Sequence, residues 1–314
     1  MNKILKPKDS GTVVFTDVNQ VQQGLARANY IASREISTVV FLALATDKPV
    51  LIEGPAGVGK TELAKAVATC LERRLIRLQC YEGLDEAKAL YEWEYAKQLL
   101  YTQMVKERIN TVIKDADTLS VAIERIASQE DAFFSERFIQ PRPLLQAILS
   151  PDPVVLLIDE VDKSDPEFEA FLLELLSDFQ VTIPEIGTKK PVTIPVVLLT
   201  SNNYREMSDA LKRRCIHLYI DYPTEEREME IVRMKIPGID QSLAAQLIDA
   251  ITRIRGLDLK KKPCISETLD WARALMALNA KVLTPDTVTD TLNIVLKYRE
   301  DTALARCAVN EILG

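Results

Sequence analysis

The sequence predicts an α/β protein: a mainly parallel sheet between layers of helices, followed by a smaller all-helical domain. Three observations carry this. Short aliphatic runs, such as Val154 to Ile158 and Val196 to Thr200, read as strands buried on both faces of a sheet. They alternate with segments whose apolar residues recur at helical spacing, the pattern of strand-helix-strand units. After Tyr222-Pro223 the strand-like runs stop and only helical periodicity continues.

Taken in order, Pro49 to Ile52 is a strand running into a glycine-rich turn, and Glu62 to Leu71 is a helix with Leu63, Ala66, Val67 and Leu71 on one face. Leu75 to Cys80 is a second strand. Tyr91 to Phe134 reads as a long helical stretch, with surplus length at about 96–134 assigned to an insert. Val154 to Ile158 follows Pro151 and Pro153, and Asp165-Pro166 opens a helix carrying Phe168, Phe171, Leu172, Leu175 and Leu176. Val181 to Ile194, with Pro184, Gly187 and Lys189-Lys190, reads as a hairpin, and Ile216 to Ile220 as the last strand. Helices are then expected over 224–235, 241–255, 266–280 and from Pro285 to the end, with acidic first turns at Thr224 and Ser266. The division is therefore 1–222 for the sheet domain and 223–314 for the helical one.

The 314 residues are 47% hydrophobic and 27% charged, with a formal net charge of -7. This is globular composition, and it excludes disordered, collagen-like and coiled-coil classes. The longest unbroken apolar run, Val39 to Ala45, is far below the ~18 residues of a membrane span, and Met1 to Gly11 lacks the apolar core of a signal peptide, so a cytoplasmic protein is expected. Five cysteines (Cys70, Cys80, Cys215, Cys264, Cys307) make no CxxC pair, and one histidine leaves no zinc cluster. The acidic balance weighs against a nucleic-acid partner.

Chemistry concentrates in two motifs. Gly54-Pro55-Ala56-Gly57-Val58-Gly59-Lys60-Thr61 fits GxxxxGK[ST] between a strand and a helix. The glycines let backbone N–H groups turn toward a phosphate, Lys60 reaches the outer phosphates and the Thr61 hydroxyl ligates Mg²⁺. The contacting set is Gly54 to Thr61 together with Glu62. Asp159-Glu160 ends a buried strand at the carboxyl edge of the sheet, where nucleotides bind. Asp159 is placed to hold the hydrated Mg²⁺ and Glu160 to act as general base on the attacking water. Asn202, at the end of the next buried strand, is suited to orienting that water, with Asn203 the weaker candidate. Lys212-Arg213-Arg214 precedes the last strand, where an arginine can enter a neighbouring subunit's site. Trp93 and Trp271 read as packing residues on helical stretches, His217 as a strand residue and Lys260 to Lys262 as a solvated loop.

In this order, the phosphate loop, the Asp-Glu strand, the strand-terminal Asn, the Arg before a final strand and the helical domain resemble the AAA+ ATPases over roughly the whole chain. Within them the sequence resembles the MoxR family. The carriers are Val161-Asp162-Lys163, Phe171 to Leu176 leading into Gln180-Val181-Thr182, Leu199 to Asn203 before Ser208-Asp209-Ala210-Leu211, and Arg214 to Pro223. The resemblance implies an AAA+ core and helical lid, and hydrolysis of ATP with Mg²⁺ at the subunit interfaces of a homo-oligomeric ring, usually six-membered. Arg214 would be the arginine finger. It also implies chaperone-like remodelling of a client complex together with a von Willebrand factor A domain protein. The sequence departs from the family at the lid arginine, whose place falls near Glu267; Arg273 lies about two turns later. The alternative is a DNA-directed AAA+ ATPase of clamp-loader or helicase-like type, since Arg214-Cys215 is also similar to the arginine-cysteine pair of clamp loaders. No basic stripe with interleaved aromatics supports it.

Overall fold

The computed structural model describes residues 15–104, 136–183 and 186–314. Most of the expected insert, 105–134, therefore lies outside the described residues, as do Met1 to Gly11 and Pro184. The strands are β1 (Val50–Glu53), β2 (Arg74–Gln79), β3 (Tyr91–Trp93), β4 (Ile139–Pro141), β5 (Val154–Asp159), β6 (Val181–Ile183), β7 (Gly187–Lys189), β8 (Val196–Ser201) and β9 (Ile216–Tyr219). Five of them form one sheet in the order β2-β5-β8-β1-β9, and every neighbouring pair is parallel. All their carboxyl ends therefore share one edge.

Side-chain alternation divides the sheet's two faces. Val50 and Ile52, with Val155 and Leu157, pack under the helices Val18–Arg27, Arg34–Thr46 and Lys60–Cys70. Leu51, Leu156 and Ile158 face the opposite layer, which includes Pro143–Ile148 and Pro166–Asp178. Among the described residues, both helices that precede β1 start on a side-chain cap: Asp17 accepts from the Gln20 N–H and Ser33 from the Ile36 N–H.

Trp93 departs from the sequence expectation. It lies in β3, paired antiparallel with Ile139 of β4, and not on a helix; the pairing with β4 extends residues 91–93, and a helix begins only at Tyr95–Met104. The hairpin over 181–194 is present as β6 and β7.

Beyond Pro223 lie the helices Glu225–Lys235, Gln241–Gly256, Ile265–Ala277, Pro285–Val295, Arg299–Cys307 and Val309–Leu313. Their apolar faces meet in a third cluster whose buried members all fall between Val232 and Ile312. At its centre Trp271, fully buried, donates its indole N–H to Thr291 Oγ1 at 2.7 Å. The single helix expected from Pro285 to the end is broken at Leu296 and again at Ala308. The first break turns the chain so that buried Asp301 accepts the backbone N–H groups of Lys260 and Lys261 at 2.8 and 3.2 Å, donors a continuous helix would leave without this acceptor. No helix among the described residues is long and apolar enough to cross a membrane.

Candidate active site

β1 delivers the glycine-rich loop to the carboxyl edge of the sheet. At Gly54, with φ of 146°, a Cβ would lie 2.0 Å from the Ile220 carbonyl oxygen, so only glycine lets the loop pass the end of β9. Gly59, left-handed at φ 95°, caps the helix Lys60–Cys70. The Lys60 side chain folds back under the loop, where Nζ donates to the carbonyls of Gly54 and Pro55 at 2.8 and 2.6 Å. Burial pulls its ammonium down from 10.5 to about 8, while Asp162, Asp159 and Glu160 pull it back up. A poorly solvated cation at a helix start that carries no side-chain cap is a receptor for an anion.

β5 ends in Asp159, whose carboxylate is almost wholly buried. Its Oδ1 accepts from the hydroxyls of Thr61 (3.0 Å) and Thr200 (2.5 Å), and its Oδ2 from Arg77 Nε (2.9 Å) and Nη2 (2.6 Å). Glu160 adopts left-handed backbone angles, φ 57° and ψ 48°. Its N–H donates to Thr200 Oγ1 at 2.9 Å. The Glu160 carboxylate accepts from Asn202 Nδ2 at 3.1 Å through Oε1, and from Gln79 Nε2 and Lys163 Nζ at 2.8 and 2.7 Å through Oε2. Asn202 is placed by Asp162, whose Oδ2 accepts the N–H groups of Asn202 (2.9 Å) and Tyr204 (2.8 Å).

Of the residues singled out from sequence, Lys60, Thr61, Asp159, Glu160 and Asn202 therefore converge. Asn203 does not: it is left-handed, and its N–H is spent on Ser201 Oγ. Arg214 is exposed, with Nε on Ser177 Oγ and Nη1 on the Ala210 carbonyl. Glu62 pairs with Lys235 at 2.8 Å and Lys65 at 3.5 Å. Glu267 serves its own helix start, with Oε2 accepting the Cys264 N–H at 3.0 Å. Arg273 pairs with Asp270 at 2.8 Å, and both line a cavity of about 800 Å³ beside the loop. Sequence reasoning misses that cavity's other walls, among them Tyr30, Ile31, Ile231 and Tyr222; the one signal, Tyr222-Pro223, reads there as a domain boundary. It also misses Arg77 and Gln79. The oxygen donors of Thr61 and Asp159, 3.0 Å apart at the mouth of a phosphate-type loop, fit a hard divalent cation such as Mg²⁺.

A family model described as AAA domain (dynein-related subfamily) matches residues 49–215. Gas vesicle ATPase GvpN of Haloferax mediterranei is 25% identical over 236 residues, which cover 71% of this chain and 61% of the relative. The chain thus spans only about three fifths of that relative's length. Gas vesicle ATPase GvpN2 of Halobacterium salinarum is 24% identical over 291 residues, covering 86% of this chain and 75% of its own length. Protein NorQ of Paracoccus denitrificans is 23% identical over 235 residues, covering 73% and 72%.

Proposed function

The chain belongs to the dynein-related AAA domain family, and we propose that it hydrolyses ATP with Mg²⁺ and uses the energy to remodel a partner protein complex, as a MoxR-type chaperone does. The observation that supports the hydrolysis is the meeting of Glu160 and Asn202, 3.1 Å apart, at the sheet edge that also holds Lys60 and Thr61; the remodelling rests on the MoxR resemblance. In this reading Gly54 to Gly59 and Lys60 hold the phosphates, while Thr61 and Asp159 hold the cation. A Mg²⁺ held by these two side chains would supply positive charge against the outer phosphates. Glu160 accepts the proton of the attacking water, and the Asn202 amide keeps carboxylate and water aligned. The cavity lined by Tyr30, Ile31 and Tyr222 takes the base and ribose.

The same reading divides the chain into a core, 1–222, and a helical lid, 223–314; the separate apolar cluster between Val232 and Ile312 supports the division. Arg214 belongs to a neighbouring copy's site in a ring, most simply of six. Two relatives carry the name ATPase, which supports turnover. The client and a von Willebrand factor A domain partner rest on the MoxR resemblance alone.

The test is a pair of substitutions in the full chain. Glu160→Gln retains ATP binding and loses turnover by roughly 10² or more, whereas Lys60→Ala loses binding as well. Normal turnover in Glu160→Gln, with contaminating ATPase excluded, would remove Glu160 from the role of base.

A further inference from the structure

We infer that Arg77 is a built-in competitor of the divalent cation: it neutralises Asp159 until Mg²⁺ arrives, must yield when it does, and so sets how much Mg²⁺ nucleotide binding requires. This rests on the ATP reading above and adds a residue to it. Arg77 and Gln79 alternate along β2 on one face, and β2 lies directly against β5 with Gln79 opposite Asp159. The two side chains therefore reach the two neighbouring acids, Arg77 to Asp159 and Gln79 to Glu160, and Arg77 also donates to the Gln79 amide oxygen.

Lone pairs decide the matter. A carboxylate offers about four acceptor positions, two on each oxygen. On Asp159 four good donors fill them: the Thr61 and Thr200 hydroxyls on Oδ1, and Arg77 Nε and Nη2 on Oδ2. A cation, or a water in its first shell, reaches Asp159 only if one of these leaves. Thr200 is held, since it is 1% exposed and also accepts the Glu160 N–H, tying β8 to the end of β5. Thr61 need not leave, since its hydroxyl oxygen can offer a lone pair to the cation while its proton stays on Asp159. Arg77 has a long stem and a side chain 50% exposed, so it can swing into water, and its charge is of the sign the cation replaces. The fork of two bonds to one oxygen makes it a stronger occupant than a lysine would be.

The experiment measures binding rather than turnover. A fluorescent ATP analogue at fixed, limiting concentration is titrated with Mg²⁺ on the full chain as wild type, Arg77→Gln, Arg77→Lys and Lys60→Ala. Arg77→Gln should lower the half-saturating Mg²⁺ concentration by roughly 5- to 10-fold, somewhat beyond the effect of an exposed pair because Asp159 is buried. Arg77→Lys should lower it by less, and it keeps the inference testable should the glutamine variant not fold. A half-saturating concentration that is unchanged or higher in the folded variants overturns the inference and makes Arg77 a support for Asp159. Mg²⁺-dependent binding in the wild type that Lys60→Ala abolishes upholds the ATP reading, whatever Arg77 does. A wild type that binds no nucleotide overturns both.

Discussion

Asp162 holds the turn that delivers Asn202, through one carboxylate oxygen that accepts two backbone N–H groups; its other oxygen is buried and has no hydrogen-bond partner among the described residues. Replacing it with alanine orphans both donors, which costs about 2–3 kcal/mol in all, and frees the Asn202 amide to wander from Glu160. Asp162→Ala should therefore melt earlier and approach the turnover of Asn202→Ala, while Asp162→Asn, which keeps an acceptor, should retain more of both. A variant that melts and turns over like the wild type would mean that the Asn202 turn holds itself. Single residues of the site differ in how far the sequence betrays them. Lys60, Thr61, Asp159, Glu160 and Asn202 are legible because each sits in a chain-local pattern: a glycine loop before a helix, or the polar end of an aliphatic run. Arg77 and Gln79 are not, because their meaning depends on β2 lying beside β5, a neighbour 80 residues away in the chain. Nothing in the run Arg74 to Gln79 announces that adjacency.

Between elements, the helical part is seated directly on the phosphate loop. A Cβ at Gly57, where φ is 77°, would lie 2.0 Å from Cys264 Sγ, at the start of the helix Ile265–Ala277. Lys235 bridges to Glu62, and Arg227 donates to the Ile31 carbonyl. Gly57→Ala should thus weaken nucleotide binding on two counts, collision and left-handed strain of about 1–2 kcal/mol. Combining it with Cys264→Ala should recover only the first. Full recovery, or none, in a titration of nucleotide affinity would show that one of the two effects is absent. The Cys264 thiol is raised above its ordinary value of 9.0, by burial and then by its hydrogen bond to Glu267. An acid raised in the fold keeps its proton there, so this contact contributes fully below pH 9 and is lost as pH climbs past it. Iodoacetamide at pH 8 should accordingly label exposed Cys307 and spare Cys264, as peptide mass mapping would report; equal labelling would mean that the helical part lifts freely off the loop. The main sheet and most of these helices follow from periodicity. The β3-β4 pair and the breaks at Leu296 and Ala308 do not, because pairing with β4 and the demand of Lys260 and Lys261 for Asp301 are tertiary facts.

For the whole molecule, the decisive question is whether one chain completes its own site. Arg214 ends the helix Asp209–Arg214 and bonds Ser177 and the Ala210 carbonyl, neither of which belongs to the phosphate loop or the acid pair. Its side chain is exposed, as is that of Arg213. In the proposed ring, a cation exposed at this helix end is the one that would serve another copy. Arginine fingers are worth ~10³ to 10⁵ in rate, so an isolated chain should be nearly inactive even with its own loop occupied, and specific activity should rise with protein concentration as rings assemble. Mixing supplies the sharper measurement. Arg214→Ala chains keep an intact loop, and Lys60→Ala chains keep an intact arginine; each alone should be inactive, and together they should recover part of the activity at the interfaces where a good loop meets a good arginine. Arg213→Ala is the control, expected to behave as wild type. Normal hydrolysis by Arg214→Ala, or full activity in a strictly monomeric preparation, would end the shared-site reading and leave the ring without a catalytic reason to form.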